Sequence, residues 1–396
     1  MRRPPAIAAV ICALLAALFL AAAAEAAARS DVCTTMRSRL VRGGGGASGL
    51  LVIDGQTGKT VCARAPRRQR PLASNMKLFT TATALDRLGA QTRIATLLKT
   101  DGGIDRNGVL RGNLYLVGAG DPTLGTPSFY RRFLGGQGTN VFMLKRQARE
   151  AGIDSVTGRL YADDSIFDRL RGVADSGYAT SPEIGPLSGL SFNSGYSTAS
   201  GYSFASDPAL TAAGTLNLAL REAGVRISPT VALGSAPPFS TELARVESPP
   251  LTSIVNTTDV YSHNFFAEML IKLIGARFGG AGTTASGARV VEAFARSHGS
   301  GVQAVDGSGL TRSNRASPAQ VVALLRSMRD TDVGDEFIQD LAITGQEGTV
   351  ADRMHGTAAY GRCRTKTGTI RAVSNLSGYC FNRSGRVMIF SILMAS

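Results

Sequence analysis

Ser74 and Lys77 stand three apart in Leu72-Ala73-Ser74-Asn75-Met76-Lys77, at the start of a helical pattern. Residues i and i+3 of a helix share one face, so the lysine amine reaches the serine hydroxyl. A neutral lysine beside a serine at a helix N-terminus makes an activated nucleophile for acyl transfer. The pair alone is weak, because S-x-x-K arises by chance roughly half a time in a chain of this composition. Two further motifs give it weight. In Lys366-Thr367-Gly368-Thr369, the K-T-G triplet is expected only about 0.05 times by chance. On a strand edge it offers a cation and hydroxyls to a substrate carboxylate, and a glycine that lets the substrate backbone approach. S-x-N occurs twice, as Ser262-His263-Asn264 and as Ser191-Phe192-Asn193. The first stands just ahead of an apolar helix and the second in a Ser/Gly-rich loop, so Ser262 and Asn264 are chosen. Their roles are a proton relay between Lys77 and the leaving group, and orientation of a substrate amide.

Composition sharpens the lysine signal. Of 43 basic residues only six are Lys, at 59, 77, 99, 145, 272 and 366. Arginine stays protonated in a protein, whereas a buried lysine gives up its proton, so two lysines kept at motif positions count for more. Other chemistries lack their parts. No G-x-S-x-G is present, and His263, His298 and His355 lack a convincing Ser and Asp context for a triad. His263 is expected to be structural or solvent-facing. No C-x-x-C exists, and neither a metal nor a cofactor is expected. Gly58-Lys59-Thr60 is no phosphate loop, because Ile53 occupies the place of its first glycine.

The elements that must position these residues follow along the chain. Arg2 and Arg3, the apolar run Ala6 to Ala24 and the Ala26-Ala27-Ala28 exit read as a signal peptide over 1–28. No later stretch is long and apolar enough to span a bilayer, so an exported protein of the periplasm or cell envelope is expected. The formal net charge of +14 falls by one on cleavage, with Arg2, Arg3 and Glu25 lost. Nucleic acid is not the expected partner: the charge is scattered, aromatics make up only 6% and Trp is absent. An anionic envelope polymer suits such a surface better. Cys33, Cys62, Cys363 and Cys380 are expected to pair as 33–62 and 363–380, the latter across a hairpin turning at Arg371-Ala372.

Gly43 to Gly46 reads as a flexible run, followed by strands at Leu50–Asp54 and Lys59–Ala63. The serine helix follows and closes at Gly89. Residues 93–245 have another texture, with strands near Leu114–Val117 and Ser228–Leu233 and a helix over Val141–Ala151. They are read as an inserted α+β domain. The discontinuous remainder, 29–92 plus 246–396, forms the second unit. It carries helices from Phe265, over Ala288–Ser297 and over Pro318–Met328, a tight turn at Asp306–Leu310, and strands Arg364–Ile370, Ser374–Cys380 and Val387–Met394.

The ordered set S-x-x-K, S-x-N, K-T-G resembles the serine penicillin-recognising enzymes. Val117 to Leu124, Asp163 to Asp168, Ser262 to Leu270 and Asp306 to Arg312 narrow this to a resemblance to the low-molecular-mass class C penicillin-binding proteins. The long stretch between Ser74 and Ser262 is similar to theirs. The resemblance implies an α/β (α+β) fold of the serine β-lactamase/DD-peptidase type, an antiparallel sheet sandwiched by helices with an inserted α+β domain. It implies Ser74 as acylated nucleophile, Lys77 as base, Ser262 and Asn264 as the second catalytic element, and Lys366, Thr367, Gly368 and Thr369 as the substrate strand. The backbone N–H groups of Ser74 and Thr369 would form the oxyanion hole. The implied activity is that of a D-alanyl-D-alanine carboxypeptidase or endopeptidase on peptidoglycan stem peptides, with β-lactams as covalent inhibitors. A β-lactamase-like hydrolase and an inactive wall-binding paralogue are the rivals. Two departures stand out: His263 replaces the more usual Asp, and the sequence ends after the last strand where the family continues into a helix. The face of Val387 to Leu393 is therefore expected to lie open or to be covered by the N-terminal segment.

Overall fold

Strand Val387–Ala395 shows how the main sheet separates two cores. Successive side chains of a strand point to opposite faces. Val387, Ile389 and Leu393 join the large helical core, while Met388, Phe390, Ile392 and Met394 pack on the other side. The computed structural model describes residues 31–395, so the expected signal peptide over 1–28 lies outside the described residues. The main sheet is antiparallel throughout, with spatial order Ala342–Ile343, Cys363–Ile370, Val373–Phe381, Val387–Ala395, Gly49–Asp54, Thr60–Arg64.

A helix over 31–44 covers the smaller face, where Leu40 is buried with Leu50, Val52 and Phe390. The N-terminal segment thus packs on the outer face of Val387–Ala395. The expected flexible run at Gly43 to Gly46 is corrected: Gly43 and Gly44 continue this helix. A Cβ at Gly44 would lie 2.7 Å from Met394 Sδ, so the glycine permits close docking on the sheet. Cys33–Cys62 ties the helix to the edge strand, and Cys363–Cys380 bridges directly paired positions. The hairpin turns at Arg371 and Ala372 as expected, because Ile370 pairs with Val373.

On the opposite face, helix Pro318–Met328 lies across the sheet, opened by a capping box of Ser317 and Gln320. Tyr379 donates its hydroxyl to the Leu325 carbonyl at 2.6 Å and fixes helix to sheet. Helices Met76–Leu88, Leu251–Val260, Asn264–Phe278 and Thr284–Ser297 complete the layer. All residues from Phe265 to Gly275 are buried, the mark of a helix enclosed on every side.

A separate hydrophobic cluster, including Leu98, Leu114, Leu116, Leu160 and Leu216, lies between Ala95 and Glu247. Its mixed five-stranded sheet runs Val231–Leu233, Leu160–Asp163, Leu114–Val117, Ala95–Thr100, Thr241–Glu247. Ala95 pairs with Glu247, which brings the chain's entry and exit side by side. The sequence reading missed helix Pro208–Glu222, although Asp207, which accepts from the Leu210 N–H, and Pro208 make a legible start.

Candidate active site

Ser74 sits in a tight turn rather than in the helix proper. Ala73–Asn75 form a 3-10 turn leading into Met76–Leu88, and Ala73 takes φ 45°, which non-glycine residues rarely adopt. Two neighbouring strands hold this turn. Asn75 Nδ2 donates to the Lys366 carbonyl at 3.0 Å, and Asn75 Oδ1 accepts from Ser377 Oγ at 2.7 Å. Asn375 Nδ2 donates to the carbonyls of Pro71 and Leu72 at 3.0 and 2.8 Å. Gly368 completes the contact: a Cβ there would stand 2.8 Å from the Leu72 oxygen and 3.1 Å from the Asn75 nitrogen. The glycine expected to admit a substrate backbone therefore seats the strand against the nucleophile turn.

Lys77 is fully buried, and its Nζ lies 3.1 Å from Ser74 Oγ, 2.8 Å from Asn264 Oδ1 and 2.7 Å from the Ser308 carbonyl. Loss of hydration, and then the charge of Lys366, bring its pKa down to about 7 against the pull of Glu268, Asp306 and Asp259. A neutral amine has two N–H groups and a lone pair. Asn264 Oδ1 and the Ser308 carbonyl take the two donors, which turns the lone pair towards the Ser74 hydroxyl.

The Ser308 carbonyl is placed by buried acids. Glu268 Oε1 accepts from the N–H groups of Gly307 and Ser308 at 3.0 and 2.7 Å. Asp306 accepts from the N–H groups of Gly309 and Thr311 and from Asn314 Nδ2, at 2.7, 3.0 and 2.7 Å. Burial raises the pKa of both acids. A Cβ at Gly309 would lie 1.8 Å from the Ala73 oxygen, so only glycine lets this loop touch the nucleophile turn. Sequence reasoning reads Asp306–Leu310 as a tight turn and as part of the family resemblance, with no role in the site. Glu268 was discoverable as a charged residue in an apolar helix, whereas a backbone carbonyl such as that of Ser308 leaves no sequence signal.

Ser262 lies between helices Leu251–Val260 and Asn264–Phe278 with φ 58°, a costly left-handed conformation for serine. It lines a cavity of about 340 Å³ with Asn264, but among the described residues its hydroxyl bonds neither Ser74 nor Lys77. Asn264 is bonded at both ends, since its Nδ2 donates to the Glu183 carbonyl at 3.1 Å. His263 Nδ1 accepts from the Phe266 N–H at 3.4 Å and caps the helix, a structural role. Burial, and then Lys77, lower its pKa to about 4, which keeps the ring neutral and able to accept. The rival motif serves elsewhere: Asn193 is buried and accepts from the Thr126 N–H at 2.9 Å.

Lys366 is fully buried and donates to the Thr367 carbonyl at 3.2 Å. Burial brings its pKa down to about 8, opposed by Asp259. Thr367 Oγ1 donates to Thr349 Oγ1 at 2.7 Å, and Thr369 is exposed. The structure thus unites Ser74, Lys77 and Asn264 by direct hydrogen bonds, hangs the Lys366–Thr369 strand on the same turn through Asn75, and leaves Ser262 adjacent. Among the described residues no group of three or more His, Cys, Asp or Glu side chains could hold a metal ion.

The chain is similar over 88% of its length to a D-alanyl-D-alanine carboxypeptidase of Actinomadura sp. (strain R39), at 31% identity and 78% coverage of that protein. It is 27% identical to the carboxypeptidase Rv3627c of Mycobacterium tuberculosis, over 86% of this chain and 75% of that one. Its fold is similar to the crystal structure of penicillin binding protein 4 (dacB) from Haemophilus influenzae, with TM-score 0.76, 20% identity and coverage of 91% and 93%. The predatory peptidoglycan endopeptidase Bd3459 from Bdellovibrio bacteriovorus shares the fold at TM-score 0.52 and 18% identity, covering 88% and 86%. Residues 40–199 and 191–396 match the model of the D-Ala-D-Ala carboxypeptidase 3 (S13) family. The chain therefore belongs to that family of serine peptidases, the low-molecular-mass class C penicillin-binding proteins.

Proposed function

We propose that this exported enzyme is a serine DD-peptidase of the periplasm or cell envelope, acting on peptidoglycan stem peptides through an acyl-enzyme on Ser74. The observation that carries the reading is the buried Lys77 amine, hydrogen-bonded to Ser74 Oγ and to Asn264 Oδ1, with no carboxylate bonded to it among the described residues. Neutral Lys77 takes the Ser74 proton as Oγ attacks the carbonyl of the penultimate D-alanine. The backbone N–H groups of Ser74 and Thr369 receive the oxyanion, each such donor contributing about 2.7–4 kcal/mol. The proton returns to the leaving amine from Lys77, with the adjacent Ser262 hydroxyl as relay, and water then hydrolyses the ester. Lys366, Thr367 and Thr369 hold the terminal carboxylate, while Asn264 orients the substrate amide. Residues 93–245 form the inserted domain of this enzyme, and 29–92 plus 246–396 its catalytic domain. β-Lactams acylate the same serine. Labelling with a fluorescent penicillin tests the reading: the wild-type protein should label and Ser74→Ala should not. A dark wild type, or a labelled Ser74→Ala, refutes it.

A further inference from the structure

Beside the Ser262 flank of the site lies a larger cleft of about 570 Å³. One wall is helix Leu251–Val260 with Tyr261 beyond it, and the other is the end of helix Pro127–Phe133. Phe133 and Leu134 line both this cleft and the cavity that holds Ser262 and Asn264, so the two spaces adjoin. Arg131 and Arg132 stand exposed on the wall and form no ion pair among the described residues. Asp340 lines the opposite part of the cleft. It is 8% exposed, and one of its carboxylate oxygens has no hydrogen-bond partner.

Asp340 also stands at a telling place in the fold. It lies two residues before strand Ala342–Ile343, whose Ala342 pairs with Thr365, next to Lys366. The cleft therefore reaches, at Asp340, the short edge strand that neighbours the K-T-G strand. A buried carboxylate oxygen left without a donor favours a ligand carrying an N–H or O–H group. Two unpaired arginines at the rim favour carboxylates on the same ligand. A neutral saccharide would leave the arginines unused, whereas a peptide with acidic groups and an amino group uses both ends.

We propose that this cleft is a second peptide subsite, which receives the leaving strand of a cross-linked substrate, its carboxylates on Arg131 and Arg132 and its N–H donor on Asp340. The proposal rests on the DD-peptidase reading. A free D-alanine leaving group ends at Lys366 and does not enter the cleft; a cross-linked leaving group continues into it. The cleft therefore separates endopeptidase from carboxypeptidase action.

The test compares the wild-type chain, Arg131→Ala/Arg132→Ala and Asp340→Asn on three probes. These are a cross-linked muropeptide dimer, a monomeric pentapeptide and a fluorescent penicillin. The subsite predicts a rise in KM for the dimer of about tenfold in each variant, as expected for loss of charge-assisted contacts. Pentapeptide turnover and penicillin acylation stay unchanged. Dimers stripped of their sugars should bind as well as intact ones. An unchanged dimer KM in the arginine variant, an equal loss on both peptides, or a loss on removing sugars that matches the variants overturns the subsite. So does a wild type that cleaves pentapeptide and no dimer. A wild type that cleaves neither peptide and stays dark to penicillin overturns the DD-peptidase reading along with it.

Discussion

Acylation of Ser74 should rise with pH as Lys77 loses its proton, then level off about one unit above neutrality. The amine is buried, and its pKa is lowered from 10.5 to about 7. At 1.36 kcal/mol per unit, that favours the neutral form by about 5 kcal/mol relative to a solvated lysine. The sign for stability follows: between pH 7 and 10.5 the unfolded chain holds the extra proton, so this group adds stability as pH rises across that window. For catalysis, the neutral fraction is roughly one-tenth at pH 6, one-half at pH 7 and nine-tenths at pH 8. The rate constant for fluorescent-penicillin acylation, measured by rapid mixing, should therefore grow about fivefold from pH 6 to 7 and less than about twofold from 7 to 8. An ordinary lysine would instead give about tenfold per unit through pH 9. That steeper profile would refute Lys77 as a base tuned by burial. Lys77→Arg supplies a charge that stays protonated, and should lower the rate by roughly 10²–10⁴-fold. A variant acylating at the wild-type rate would refute the role itself.

Gly368→Ala drives a methyl towards the Leu72 oxygen at 2.8 Å, so the K-T-G strand must move off the nucleophile turn. It should destabilise the fold by about 1–3 kcal/mol in denaturant melts and slow acylation more than it alters secondary structure by circular dichroism. Asn75→Ala leaves the Lys366 carbonyl and the Ser377 hydroxyl without their shared partner, and should lower stability by about 2–4 kcal/mol. A neutral result there would mean that Asn75 does not hold turn and strand together. Replacing Cys363 and Cys380 by Ser opens a loop of 17 residues and should reduce unfolding free energy by about 3 kcal/mol. In reductant the wild type should lose the contribution of both bridges, and the variant only that of Cys33–Cys62, so the difference between the two melts should shrink.

Much of the fold was legible because its signals are local. The almost wholly apolar run Val387 to Met394 marks a buried strand, and Pro318 marks a helix start that the structure places at the same residue. The flexible reading of Gly43 and Gly44 failed because a glycine's reason for being in a helix is often a neighbour, here Met394, that is remote in sequence.

The nucleophile pair was determined by the sequence itself. Ser74 and Lys77 share a turn of chain, and helical spacing alone brings their side chains within reach. The rarity of K-T-G, and of lysine in this chain, pointed to Lys366 without any knowledge of its place in space. Only the tertiary structure decided what state Lys77 is in. Its burial, its bonds to Asn264 Oδ1 and the Ser308 carbonyl, and the acids that hold that carbonyl come from residues 187 to 231 positions away. The same is true of Asn75, which lies beside the serine and bonds a carbonyl 291 residues on. A motif states which groups are present. The pKa of one and the seating of another depend on water excluded and backbone brought near, and those are properties of the packed chain.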